Sequence, residues 1–319
     1  MAESGPLGSG PTECNDDSDW MSRLPERLQR ISLWTLAIPG SHDSMGYDLD
    51  MDSSIVEPDS LVHLSKLYCV RALIRNWATT QEVNIGQQLD AGVRFFDLRV
   101  ARKPNDPQPN RLYFYHGLYT HSDVETVLST FNDWAGGHPK EVLVLALSHF
   151  KGMEDEVHQH LLHFITKLFG AKLLHATDHP TLQFCWTSGR HIILSYDYPA
   201  TQYPQMWRKI PYFYGDSLVP SQVIAVLDDK LRTQSPPNYL FVCGLNLTLP
   251  EGIGALKYLH KTLKSVTLEG LPTLLDWVKK QDPGPCNDHI NIIASDFVNQ
   301  LDFVSTVVKL NNKLCLSQR

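Results

Sequence analysis

Short apolar runs that end in polar residues recur along this chain, and amphipathic stretches of helical period separate many of them. The runs, in order, are LWTLAIPGSHD, VRFFDLRV, LYFYHG, VLVLALSH, HIILSYD, YLFVCGLNL and NIIASDF. Apolar strands that alternate with helices are typical of a parallel sheet covered on both faces. Seven such runs in 319 residues favour an α/β fold, a TIM-like (β/α)8 barrel, over a doubly wound sheet. The segment IPYFYG supplies the eighth strand, or the barrel is distorted or incomplete.

The chain reads as one domain behind a polar tail. Residues 1–18 are rich in Gly, Ser, Pro and Asp, so we expect them to be disordered. No linker divides residues 19–319, and the Pro-rich stretch 103–111 is interpreted as a loop within the domain. Residues 122–139 and 154–170 repeat apolar side chains at helical spacing, so we expect helices there.

Composition excludes several classes of protein. The net charge is −7 and no run of basic residues occurs, so we expect no nucleic-acid partner. The longest apolar runs resemble VLVLAL, whereas a membrane-spanning helix needs roughly 20 residues, so we expect no transmembrane segment. The polar N-terminus lacks the features of a signal peptide, and a cytoplasmic location is therefore expected.

Ionisable residues gather at the ends of the predicted strands. They are His42 and Asp43 after the first strand, Asp97 and Arg99 in the second, His116 after the third, and Asp296 at the end of the last. Catalytic residues of such barrels lie at the carboxyl ends of the strands, which meet at one face. Strand side chains alternate, so Asp97 and Arg99 share a face and are expected to point into the barrel mouth.

Two histidines and a guanidinium around one pocket suit the cleavage of a phosphodiester. One histidine can take a proton from the attacking hydroxyl, while the other gives a proton to the leaving oxygen. A guanidinium neutralises charge on phosphoryl oxygens. Taken singly, His42–Asp43 could be a capped turn, Asp97 and Arg99 an interior ion pair, and Asp296 a helix cap. Their accumulation at one end of a barrel favours an active site.

Four segments, AIPGSHDS, GVRFFDLR, YFYHG and INIIASDF, resemble the phosphatidylinositol-specific phospholipase C superfamily, and most closely its small eukaryotic members, the PI-PLC X domain-containing proteins. The resemblance spans about residues 20–316. It implies that residues 19–319 form a distorted TIM barrel, a PI-PLC X-type catalytic domain. It also implies an inositol phospholipid substrate, whose 2-hydroxyl attacks phosphorus to give diacylglycerol and an inositol phosphate.

The resemblance also implies roles by position. His42 matches the general base, His116 the general acid, and Asp296 the carboxylate that orients the base. Asp43 and Asp97 match carboxylates that support the acid.

Arg99 stands where calcium-dependent relatives carry a metal-binding carboxylate and metal-free bacterial members carry Arg. The resemblance therefore implies a calcium-independent enzyme with no cofactor. Head-group recognition departs from the bacterial pattern. The bacterial enzymes carry a lysine and a glutamate where this chain has Ser148 and His149. They carry an arginine where this chain has Ser195 or Tyr196.

Two other functions stay open at this point. One is a metal-dependent glycerophosphodiester phosphodiesterase on the same barrel, which would need three or more metal-binding carboxylates. The other is a non-catalytic inositide-binding protein, which would lack one of the catalytic groups. Several aromatic residues could touch lipid in a transient membrane contact or could belong to the core. These are Trp77, Tyr113, Tyr196, Tyr198, Tyr203, Trp207, Tyr212 and Tyr214.

Overall fold

A computed structural model describes residues 17–250, 257–258, 260–286 and 288–316. Most of the predicted disordered tail, residues 1–16, lies outside this range. The structure differs from the prediction at the end of the tail, because Asp17–Asp19 form a short 3-10 helix.

Ten strands and nine α-helices, together with short 3-10 helices, make up the regular part of the described chain. The strands are β1 (Ile38–Ser41), β2 (Phe95–Arg102), β3 (Leu112–His116), β4 (Leu118–Asp123), β5 (Leu143–Lys151), β6 (Ile192–Tyr196), β7 (Met206–Trp207), β8 (Tyr212–Phe213), β9 (Val242–Gly244) and β10 (Ile292–Ser295). The helices are α1 (Glu26–Gln29), α2 (Tyr68–Ala78), α3 (Ile85–Asp90), α4 (Val124–Gly137), α5 (Asp155–Phe169), α6 (Leu182–Ser188), α7 (Pro220–Gln234), α8 (Leu263–Lys280) and α9 (Phe303–Leu310).

The main sheet is parallel throughout, as predicted. Its strands run in the order β7-β6-β5-β2-β1-β10-β9-β8, and each pair of neighbours is parallel. The segment IPYFYG does supply a strand, β8. The sheet curls into a barrel that stays incomplete, because β7 and β8 are its two ends and only residues 208–211, without a helix, connect them.

The prediction for LYFYHG was wrong in one respect. β3 pairs with β2 in antiparallel fashion and continues into antiparallel β4, so it forms a hairpin beside the barrel. The reason is the length of the connection. A parallel crossover needs about a dozen residues or more, and only residues 103–111 lie between β2 and β3. The last residues of β2, Val100–Arg102, pair with β3. Because β3 runs back along β2 from there, its end still lies at the carboxyl face of the barrel.

Strand alternation divides the core into two layers. Phe96 and Leu98 are fully buried between the sheet and the helices, where Phe96 lies edge-on against Phe131 of α4 at 4.7 Å. Phe95 points the other way and packs in a second cluster with Ile38. The two predicted helices are present as α4 and α5, and each buries its apolar stripe.

The second cluster also holds the start of the described chain. Trp20 and Met21 are buried in it, and the backbone N–H groups of Met21 and Ser22 donate to the carboxylate of Glu141. Glu141 is itself buried against Arg94, at 2.9 Å. A buried ion pair that also accepts backbone hydrogen bonds holds this segment in one position.

None of the helices in the described ranges is both long enough and apolar enough to span a membrane. The cytoplasmic location stays a prediction.

Candidate active site

The turn after β1 presents His42 and Asp43 in a strained but well-supported conformation. Asp43 has φ 38°, in the left-handed region that costs energy for any residue with a Cβ. Its backbone N–H donates to Oδ2 of Asp97 at 3.2 Å, and its carbonyl accepts from the Thr80 hydroxyl at 2.7 Å. Side chains from two other segments therefore hold the strained backbone of Asp43. In this conformation the side chains of His42 and Asp43 lie at the carboxyl face.

The side chain of Gln81 links the ends of the neighbouring strands β1 and β10. Its side-chain amide nitrogen donates to the carbonyls of His42 and Ser295, each at 3.0 Å. Its amide oxygen accepts from the backbone N–H of Val298 at 3.1 Å. Gln81 is fully buried, so these bonds are the partners that its amide needs. Gln81 was not among the predicted site residues.

His42 lies between two carboxylates. Its Nδ1 atom is 2.7 Å from Oδ1 of Asp296, and its Nε2 atom is 3.1 Å from Oδ2 of Asp43. Burial lowers the pKa of the imidazole, but Asp43 and Asp296 outweigh burial and raise the pKa to about 9. At neutral pH the unliganded site therefore holds His42 mainly as an imidazolium.

Asp296 follows β10 and is 1% exposed. Helix α9 begins at Phe303 with Asp302 before it, so the alternative interpretation of Asp296 as a helix cap was wrong.

His116, at the end of β3, faces the same carboxylate as His42. Its Nε2 atom lies 3.3 Å from Oδ2 of Asp43, and its Nδ1 atom lies 2.8 Å from the carbonyl oxygen of Ala78. The two imidazole rings are 6.1 Å apart between centroids. Burial raises the pKa of Asp43, but Arg99, His116 and His42 together lower it below its usual value. Asp43 is thus an ionised carboxylate that bridges both histidines.

Arg99 completes the cluster from β2. Its Nε atom lies 2.7 Å from Oδ1 of Asp43, and its Nη2 atom lies 3.3 Å from Nε2 of His42. Burial disfavours the charged guanidinium, yet Asp43 and Asp97 raise its pKa above the ordinary arginine value. Asp97 lies on the His42 side, 4.0 Å from Nε2 of that residue, whereas the resemblance implied a position supporting His116.

Within the part of the chain that the structure describes, one set of side chains could hold a metal ion. His42, Asp43 and Asp97 offer ligand atoms within 4.8 Å of one another. The Arg99 guanidinium contacts Asp43 and lies 3.9 Å from Asp97, so a fixed cation already compensates one of the two negative charges of this set. Calcium prefers six to eight oxygen ligands, which two carboxylates and an imidazole do not approach. The donor set fits an arginine better than a calcium ion.

These side chains open into a pocket of about 510 Å³ at the carboxyl face of the barrel. Its lining from the predicted set is His42, Asp97, Arg99, His116 and Asp296, with Asp43 directly behind them. The structure thus brings all six candidate residues together.

The rest of the lining comes from other strand ends. Ser148, His149 and Ser195 face the pocket, whereas Tyr196 points into the helix layer and bonds to Nδ1 of His158 at 2.9 Å. The alternation of β6 explains the difference between Ser195 and Tyr196.

Four polar residues of the described pocket lining were not predicted as site residues: Asp197, Lys209, Asn246 and Thr248. Lys209 lies in the connection between β7 and β8, with its Nζ atom 2.6 Å from Oδ2 of Asp197. Asn246 follows β9 and accepts a hydrogen bond from the Tyr212 hydroxyl at 3.1 Å. No motif or periodicity marks Lys209 and Asn246, because the strands beside them are only two or three residues long.

The aromatic residues divide into two groups. Trp77, Tyr212 and Tyr214 line the pocket. The others belong to or pack against the core, and they are Tyr113, Tyr196, Tyr198, Tyr203 and Trp207. Burial raises the pKa of Tyr212 well above its usual value, so its hydroxyl stays protonated beside His42.

The fold and the cluster define an α/β barrel protein with a pocket of paired histidines, carboxylates and one arginine. Residues 66–190 match the family described as phosphatidylinositol-specific phospholipase C, X domain. Over 300 residues the chain is 40% identical to PI-PLC X domain-containing protein 1 of Danio rerio, covering 92% of this chain and 96% of that protein. It is 38% identical to the Homo sapiens protein of the same name over 307 residues, 94% of each chain. The chain belongs to the family of PI-PLC X domain-containing proteins.

Solved structures show the same fold at lower identity. The phosphatidylinositol-specific phospholipase C of Staphylococcus aureus superposes with a TM-score of 0.64 at 17% identity, covering 92% of this chain and 97% of that one. The enzyme of the same name from Listeria monocytogenes gives a TM-score of 0.63 at 19% identity, with 93% and 99% covered. The incomplete barrel is therefore a phospholipase-like fold.

Proposed function

We propose that this protein cleaves the phosphodiester of an inositol phospholipid by acid–base catalysis. The supporting observation is the pair of histidines. Asp296 holds Nδ1 of His42, and the Ala78 carbonyl holds Nδ1 of His116, so each ring has its Nε2 atom on the same Asp43 oxygen. A base and an acid on either side of one phosphorus are the groups that this cleavage needs.

The first step needs only the substrate and the two histidines. Neutral His42 takes the proton of the inositol 2-hydroxyl, and the freed oxygen attacks phosphorus. The bond between phosphorus and the diacylglycerol oxygen then breaks, and protonated His116 gives that oxygen its proton. The products are diacylglycerol and a cyclic inositol phosphate, which water can open in the reverse sense with the two histidines exchanging roles.

Arg99 supplies the charge that the developing transition state requires. Its guanidinium is within reach of the base and is anchored by Asp43, so its donors are oriented before substrate arrives. In this proposal it takes the place of a calcium ion, and Asp97 keeps the Asp43 backbone in position.

The proposal includes a transient contact with the membrane surface. Tyr214 of the pocket lining is 48% exposed, and at the start of α2 Leu67 is 48% and Tyr68 66% exposed. Tyr68 begins α2, whose last turn carries Trp77 of the pocket lining.

We expect Tyr68→Ser to weaken co-sedimentation with phosphatidylinositol vesicles, and unchanged sedimentation would contradict this contact. Leu316→Ser, at another exposed apolar residue, is the matched control.

A metal-dependent phosphodiesterase is the second candidate, because His42, Asp43 and Asp97 form a possible ligand set. One experiment separates the two functions. Purified protein is incubated with phosphatidylinositol vesicles, with EDTA or with added calcium, and the water-soluble phosphates are separated. We expect inositol phosphates in both samples. Loss of cleavage in EDTA that calcium restores would support the metal-dependent reaction instead.

A further inference from the structure

The pocket has a second polar surface beside the catalytic cluster, built from strands that carry none of the six candidate residues. We call it the far wall. It comprises Ser148 and His149 of β5, Ser195 of β6, Asp197 after β6, Lys209 between β7 and β8, and Asn246 after β9.

An ion pair occupies the far wall. Lys209 Nζ lies 2.6 Å from Oδ2 of Asp197, whose backbone N–H donates to the carbonyl of Leu147 at 3.0 Å. The side chains are 56% and 31% exposed, and exposed pairs of this kind contribute little to stability, about 0–1 kcal/mol. Both side chains line the pocket and keep free hydrogen-bonding capacity, since a carboxylate has two oxygens and an ammonium three hydrogens. The pair is therefore suited to a ligand more than to holding the fold.

The charges of the far wall cancel. Among the described residues of this wall, Lys209 is the one lysine or arginine, and Asp197 compensates it. Burial, and then the positive charge of Arg99, lower the pKa of His149, so its ring is neutral at pH 7. A phosphate on the inositol ring carries about −1.5 to −2 charges at pH 7. It binds best to lysine or arginine side chains that are not already paired with a carboxylate. A neutral wall of donors and acceptors suits hydroxyl groups.

The remaining far-wall groups are also hydrogen-bonding groups of modest polarity. The Ser195 hydroxyl donates to the carbonyl of Arg208 at 3.0 Å, which leaves its oxygen as an acceptor. Asn246 uses its oxygen for Tyr212, which leaves its NH₂ group to donate. The far wall thus offers both donors and acceptors to a ring of hydroxyls.

We propose that Asp197 and Lys209 read two neighbouring hydroxyls of the inositol ring, and that they select a head group without ring phosphates. Asp197 accepts a hydrogen bond from one hydroxyl, and Lys209 donates to the next. This inference rests on the proposed function, since it concerns the head group of the same substrate. Lys209 thereby supplies, from an irregular connection, a cation that β6 lacks at Ser195.

The test compares two lipids and two variants. Phosphatidylcholine vesicles carry either phosphatidylinositol or phosphatidylinositol 4-phosphate, and kcat and KM are measured for each lipid. Losing one charged hydrogen bond costs about tenfold or more. We expect Lys209→Gln to raise KM for phosphatidylinositol by about tenfold with little change in kcat. We expect Asp197→Asn to raise KM similarly and, by leaving Lys209 uncompensated, to shift the preference about tenfold toward the 4-phosphate.

Lys279→Gln is the matched control, because Lys279 forms a similar exposed pair with Asp276 on α8 outside the pocket. A wild-type preference for the 4-phosphate, or variants that keep the wild-type KM and preference, would overturn the proposal. If the wild type cleaves neither lipid, the proposed function fails, and calorimetry with glycerophosphoinositol tests the pair by itself. If the wild type binds glycerophosphoinositol and both variants bind it more weakly, the result supports the proposed role of the pair. If neither variant changes the affinity, or the wild type does not bind, the result overturns it.

Discussion

Nδ1 of His42 lies 2.7 Å from Oδ1 of Asp296, although 254 residues separate the two in the chain. The contact exists because β1 and β10 pair in parallel, with Ser41 opposite Ser295, so the next residues of both strands emerge side by side. The carboxylate fixes a proton on Nδ1, so Nε2, which lies between Asp43 and Arg99, is the nitrogen that can exchange a proton. It is also one of the two carboxylates that raise the pKa of His42.

The pH dependence of cleavage follows from this pair. A general base works only when neutral, and the pKa of His42 is about 9, so we expect kcat/KM to rise with pH up to about that value. Asp296→Asn removes a negative charge, so the pKa falls and the rising limb moves to lower pH. The maximal rate should also fall, by about 10²-fold or more, since the tautomer is no longer fixed. An unshifted limb in the pH profile would show that Asp296 does not act through His42.

Arg99 should not tolerate lysine. The Arg99 guanidinium is ion-paired through Nε with Asp43 and still offers its terminal nitrogens to phosphoryl oxygens, whereas an ammonium is a point charge on a flexible stem. We expect Arg99→Lys to lose about 2.7–4 kcal/mol of transition-state stabilisation, measured by single-turnover cleavage at saturating lipid. Asp97→Asn should show a smaller fall in the same direction. An Arg99→Lys rate within about threefold of wild type would mean that Arg99 is structural.

Gln81 should matter for stability as well as activity. Gln81→Met keeps the volume but removes the side-chain donor to the His42 carbonyl and the acceptor of the Val298 N–H, while the Ser295 carbonyl still accepts from the His42 N–H. Buried groups left without a partner cost about 1–3 kcal/mol, so we expect the free energy of unfolding in urea to fall by that amount. Gln183→Met, at an exposed position of α6, is the control and should change little. Equal stabilities of the two variants would contradict the role of Gln81.

The sequence predicts the catalytic side of the pocket well because strand order carries the information. Parallel strands place their carboxyl ends at one face, so His42 and Asp296 are predictable neighbours once β1 and β10 are recognised. The alternation of β2 likewise places Asp97 and Arg99 together. The shared orientation of both histidines toward Asp43 depends on a left-handed backbone at that residue, which the sequence alone does not reveal.

The far side of the pocket is less predictable for a physical reason. Lys209 and Asn246 lie beside strands of two or three residues, too short to show any period. The direction of β3 was predictable, because the short connection 103–111 excludes a parallel crossover, but its apolar pattern resembled that of the barrel strands.

The assignment of His42 as base and His116 as acid is tested most directly by changing the leaving group. Phosphatidylinositol is compared with inositol 1-(4-nitrophenyl phosphate), whose leaving group departs without a proton from the enzyme. We expect His116→Ala to lose about 10²–10⁴-fold on the lipid and far less on the nitrophenyl ester. His42→Ala should lose a similar factor on both substrates, because both need the 2-hydroxyl deprotonated. Near-wild-type cleavage of the lipid by either variant, or equal losses by His116→Ala on both substrates, would contradict the assignment.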